Sequence, residues 1–103
     1  MSNYSYDRRP SLPDFTRLAE LFGALSDPTR LRIISSLMEG ECSVGQIASG
    51  VGLSESAVSH QLRGLRQMRL VRARKSGRQV FYSLDDQHVA RLYQLGLEHT
   101  LDR

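Results

Sequence analysis

The stretch Gly52–Leu84, GLSESAVSHQLRGLRQMRLVRARKSGRQVFYSL, changes its hydrophobic period midway, and that change decides the fold. Val58, Leu62, Leu65 and Met68 recur at helical spacing, so the first half reads as a helix opened by Ser54 or Ser56. After Leu70 the period drops to two. Val71 and Ala73 alternate with Arg72 and Arg74, Lys75-Ser76-Gly77-Arg78 supplies a turn, and Val80, Tyr82 and Leu84 alternate back. A hairpin follows, with Gly77 taking the turn conformation other residues resist.

Working outward, three helices precede this pair. Phe15, Leu18, Phe22 and Leu25 give the first, over about 14–25. Asp27-Pro28 caps the second, lined by Leu31, Ile34, Leu37 and Met38 and stopped by Gly40. Ser43 starts the third with Gln46 in a capping box; Val44, Ile47, Ala48 and Val51 form its apolar side, and Gly50 and Gly52 break it. Beyond the hairpin, Asp85-Asp86 caps a fifth helix running nearly to the C-terminus. Residues 1–12 have no periodicity and read as a flexible arm; 13–103 form one domain whose last helix serves dimerisation and metal binding. The fold class is mainly α with a β-hairpin wing: a winged helix-turn-helix with four helices, the hairpin and a fifth helix.

Charge is segregated along the chain. Ser56–Leu84 holds seven basic residues (Arg63, Arg66, Arg69, Arg72, Arg74, Lys75 and Arg78) and no acidic one, whereas the other 74 residues carry a net −4. Phosphate neutralisation needs clustered cations without neighbouring carboxylates, so a nucleic acid is the expected partner, and the winged helix-turn-helix order makes it double-stranded DNA. With Val58, Leu62 and Leu65 inward, the opposite helix face presents Ser56, Ser59, His60, Arg63 and Gln67, with Gln61 beside them. Short donors near the helix start suit base edges, and longer cations reach phosphate. Arg74, Lys75, Arg78 and Gln79 sit at the hairpin tip with no carboxylate in the segment to balance them.

No apolar run is long enough for a membrane span, no signal peptide is evident, and Cys42 is the lone cysteine. A cytoplasmic protein without an internal disulfide framework is expected.

LFGALSDPTRLRII, the run SxSxVSHQLxxLxxxxLV within 54–71, and GRQVFYSL together resemble the ArsR/SmtB family of bacterial metal-responsive repressors. The resemblance spans about residue 15 to the end. It implies a homodimer on a pseudo-palindromic operator, with recognition helices in successive major grooves and Ser56, Val58, Ser59 and His60 facing bases or phosphates.

The last helix carries the second constellation. Asp86, His88, His99 and Asp102 spell D-x-H-(10)-H-x-x-D. Eleven residues advance a helix by about 1100°, leaving His88 and His99 roughly 20° apart on one face but about 16 Å apart along the axis. Nitrogens so placed cannot share an ion within one chain, because each must approach it to about 2 Å. Antiparallel packing of two copies brings His88 of one beside His99 of the other and creates two symmetric sites, each with Asp86 and His88 from one chain and His99 and Asp102 from its mate. Leu92 and Leu95 share that face; Val89, Tyr93 and Gly96 point towards the subunit's own core. Two imidazoles and two carboxylates suit Zn(II), with Co(II) as its mimic; Ni(II), which prefers more ligands, is the other candidate, and Cu(I) or arsenic would want thiolates. Some zinc sensors of the resembled family carry D-x-H-(10)-H-x-x-(E or H) here, and Asp102 departs from that pattern.

These readings converge on a repressor that releases its operator when a divalent ion binds between subunits. The alternative is a winged-helix DNA-binding regulator with a vestigial metal site or another effector. A metallohydrolase is disfavoured, because all four ligands come from protein and no open position remains.

Overall fold

The computed structural model describes residues 9–101, so the start of the expected arm and the expected ligand Asp102 lie outside the described residues. The element order is α1 (Leu12–Ala24), α2 (Pro28–Ser36), β1 (Cys42–Ser43), α3 (Val44–Val51), α4 (Glu55–Gln67), β2 (Val71–Ser76), β3 (Gln79–Leu84) and α5 (Gln87–Leu101).

Each start has a local cause. Ser11 and Asp14 form a reciprocal capping box, which begins α1 at Leu12, two residues before the periodicity placed it. Asp27 accepts from the Arg30 N–H and Pro28 stands in the first turn of α2. Ser43 and Gln46 close the box opening α3, and Ser54 accepts from the Ala57 N–H to open α4. Between α3 and α4 the chain reverses at Gly52, whose φ of 72° lies in the left-handed region, while Gly50 stays inside α3. That glycine is the turn of the helix-turn-helix. α2 ends at Ser36, short of Gly40, as the Leu37 N–H turns to the Ile34 carbonyl.

β2 and β3 pair antiparallel from Val71 opposite Leu84 to Ser76 opposite Gln79, with Gly77 at a φ of 62° in the turn. The sequence reading missed the third strand. β1 joins the outer edge of β3, Cys42 opposite Tyr82 and Ser43 opposite Phe81, giving the order β1-β3-β2. Two residues carry no period to detect.

One core ties these layers together. Ile33, Ile34, Ile47, Val58, Leu62, Leu65 and Val71 are almost wholly buried, with Leu70, Tyr82 and Val89 closing its sheet and α5 sides. The second helix therefore buries Ile33 and Ile34, whereas Leu31 stays exposed. No helix among the described residues is long and apolar enough to cross a membrane.

Candidate nucleic-acid interface and metal-ligand helix

The α4 face follows from how α4 is anchored. Val58, Leu62 and Leu65 are 0% exposed and fix the helix against the core, so the other side of the same cylinder is open. Ser56, His60, Arg63 and Gln67 lie exposed there, and Ser59 is half-buried. Two expected contacts change role. Val58 cannot present its side chain to DNA, because periodicity turns it inward and it is fully buried. Gln61 is half-buried, and its Oε1 accepts from Arg30 Nε at 3.0 Å. Arg30 also donates to the Ala24 carbonyl, so Gln61 links α4 to the α1–α2 corner.

The wing is less uniformly cationic than its sequence. Arg74 forms a two-pronged pair with Glu41, Nε to Oε2 at 2.9 Å and an Nη to Oε1 at 2.7 Å, and its guanidinium sits 4.9 Å from the centre of the Phe81 ring. The hydrogen bond from Arg74 holds the Glu41 carboxyl below its ordinary pKa, and Glu41 in turn raises Arg74. Hence Arg74 is balanced by a carboxylate 33 positions away in sequence, just ahead of β1 and outside the basic segment Ser56–Leu84. Lys75, Arg78 and Gln79 are exposed around the turn.

On α5, Asp86 does two things at once. Its Oδ1 accepts from the His88 and Val89 N–H groups at 2.9 and 3.3 Å, capping the helix, while its Oδ2 stands 3.3 Å from His88 Nδ1. The hydrogen bond with His88, and then those from the two backbone N–H groups, lower the Asp86 pKa. Two ligands about 2.0–2.1 Å from a tetrahedral ion are themselves roughly 3.3 Å apart, so this oxygen and nitrogen stand at the spacing of one edge of such a site. His99 is exposed in the last turns of the same helix. Among the described residues of one chain, no three His, Cys, Asp or Glu side chains gather as a metal site. Cys42 is half-buried, and its thiol donates to the Ser36 carbonyl at 3.4 Å.

An apolar groove of about 320 Å³ runs beside α5, with Phe22 of α1, Leu31 of α2 and Val89, Tyr93 and Leu97 of α5 on its walls. Leu92 lines this groove too, rather than standing only with the histidines. Phe15, Phe22 and Leu95 are 54, 51 and 67% exposed, an unusual amount of large apolar surface on two helices of so small a domain.

Comparison with known proteins gives the family and the fold. The family model described as bacterial regulatory protein, arsR family, matches residues 27–73. A transcriptional repressor SmtB homolog of Synechocystis sp. is 51% identical over 89 residues, 86% of this chain and 67% of that relative. A cadmium resistance transcriptional regulatory protein, a CadC homolog of Staphylococcus aureus, is 41% identical over 83 residues, covering 80% of this chain and 69% of that one. Among solved structures, the homodimeric winged helix-turn-helix DNA-binding domain of a possible ArsR-family regulator from Mycobacterium bovis superposes with a TM-score of 0.81 at 29% identity, over 99% of this chain and 96% of that one.

Proposed function

Because this chain belongs to the arsR family of bacterial regulatory proteins, and is a transcriptional regulator rather than an enzyme, we propose that it is a cytoplasmic homodimeric repressor whose hold on operator DNA is set by a divalent ion bound between its two α5 helices. In this reading residues 13–103 are the working unit, and α4 enters the major groove with Ser56, Ser59, His60 and Arg63 forward. Lys75, Arg78 and Gln79 of the wing reach the adjacent backbone. The basic charge of Ser56–Leu84 supplies the non-specific attraction.

The observation that carries the metal reading is the paired spacing on α5. Asp86 Oδ2 and His88 Nδ1 stand at 3.3 Å, on the helix that presents His99 to solvent further along. Two α5 helices packed antiparallel complete each site with His99 and Asp102 of the mate. The exposed apolar surface of α1 and α5 supports a dimer on this side. Two nitrogens and two oxygens favour Zn(II), with Co(II) as its spectroscopic mimic and Ni(II) less well matched. An ion held there would cross-link the two subunits. Movement of α5 reaches α4 by a short physical route, since α5 packs on α2 and α2 holds α4 through Arg30 and Gln61.

Release requires tighter ion binding by the free dimer than by the DNA-bound one, and the coupling is reciprocal. Couplings of this kind are typically about 1–3 kcal/mol, or 5–150-fold. The test is fluorescence anisotropy of palindromic duplexes with and without Zn(II), using wild type and His99→Ala. Wild type should weaken at least fivefold on adding Zn(II), and the variant should hold DNA equally in both conditions. DNA binding indifferent to divalent ions would favour the alternative, a winged-helix regulator with a vestigial site or another effector.

A further inference from the structure

A polar groove of about 290 Å³ lies where the start of α3, the first turn of α4 and the wing meet; Ser43, Glu55, Ser59, Arg78 and Gln79 are its polar lining. Glu55 is anomalous there. It is exposed, belongs to no hydrogen bond or ion pair among the described residues, and is the sole carboxylate of this lining. Its Oε2 lies over Gly45, where a Cβ would stand 3.3 Å from that oxygen, so the side chain turns towards the start of α3. Arg78 lines the same groove without pairing to it.

On the reading that α4 enters the major groove, this carboxylate faces a polyanion. A bare carboxylate beside phosphates weakens binding unless it meets a donor. Of the groups that base pairs present in the major groove, the exocyclic amines of cytosine and adenine are the donors, and a carboxylate pairs best with cytosine N4–H. Helix-turn-helix proteins read base edges from the first turn of the recognition helix, where Glu55 stands next to Ser56. We infer that Glu55 is a specificity-determining residue: its carboxylate accepts a hydrogen bond from a cytosine N4 amine at one position in each operator half-site. Ser59, one turn along α4, and Arg78, from the wing, flank that base. A first-turn carboxylate also suits the helix dipole, but that effect is indifferent to DNA sequence.

The test is selection of bound duplexes from a randomised DNA library by full-length wild type and Glu55→Gln, followed by anisotropy on the selected sites. Wild type should enrich cytosine at one symmetric position, and replacing it by thymine should cost roughly tenfold in affinity, within the 5–150-fold span of a good base contact. Glu55→Gln should shift that position towards adenine, the base an amide side chain recognises, and leave the rest of the consensus unchanged. The same consensus from both proteins, with only a uniform change in affinity, overturns the inference while leaving DNA recognition by α4 standing. Enrichment of no sequence by wild type overturns both.

Discussion

Two wing arginines that look alike in sequence should behave differently on DNA. Arg78 is exposed at the turn and carries no ion pair among the described residues, whereas Arg74 spends both prongs of its guanidinium on Glu41 at 2.7 and 2.9 Å. Each cation that neutralises a phosphate contributes about 0.9 to the slope of log K against log salt. For a fourfold rise in salt, from about 50 to 200 mM, that is about a 3.5-fold loss of affinity per contact. Arg78→Ala should therefore flatten the slope by about 0.9. The double variant Arg74→Ala with Glu41→Gln removes a charge of each sign, so it should leave the slope within a few tenths of wild type. Anisotropy at four or five salt concentrations reads both values. A double variant as shallow as Arg78→Ala would show that Arg74 leaves Glu41 for a phosphate, and the reasoning would fail.

Other consequences follow from the same geometry. Leu62 is fully buried under α4, so Leu62→Ala should cost about 2–5 kcal/mol in urea unfolding, and a loss under about 1 kcal/mol would contradict the placement. The Glu41 pKa is depressed by its bond from Arg74, so the pair stabilises the fold above the ordinary carboxylate range and the gain disappears as pH falls through the lowered value. Wild type should accordingly exceed Glu41→Gln in melting temperature at neutral pH and converge with it in strong acid; a gap that persists there would refute the assignment. Phe22 is half-exposed on the wall of the α1–α5 groove, so Phe22→Glu should sediment as a folded monomer at micromolar concentration where wild type is a dimer. A dimer that survives the change would place the interface elsewhere.

Much of this architecture was legible because its causes are local. The Ser43–Gln46 box, the Val58–Leu62–Leu65 stripe and the glycine-turned hairpin are each written within one short run of chain, and each stands where the sequence pattern puts it. What escaped depends on pairing across distance. β1 exists because β3 has a free edge for Cys42 and Ser43, and the Glu41–Arg74 pair exists because that edge brings residues 41 and 74 together. Val58 shows two kinds of inference in conflict: helical spacing turns it inward, resemblance alone sets it among the DNA-facing residues, and burial sides with the spacing. Gln61 fails as a free DNA-facing group for a related reason, since a half-buried amide with Arg30 at hand is already engaged. On α5 His88 and His99 are both exposed, while the groove draws Leu92 to its wall beside Val89.

The central claim is that each metal site draws ligands from two chains, and a mixed dimer tests it most directly. His88→Ala and His99→Ala homodimers should each lose both ions, because either change strips one ligand from both symmetric sites. In a dimer of one His88→Ala chain and one His99→Ala chain, one site loses both histidines while the other keeps Asp86, His88, His99 and Asp102. Titration of that mixed dimer with Co(II), followed by the visible absorption of a tetrahedral ion, should reveal one ion per dimer bound at close to wild-type affinity. Loss of tight binding at both sites would mean that each site lies within a single chain, and the account of metal-gated DNA release would be contradicted at its base.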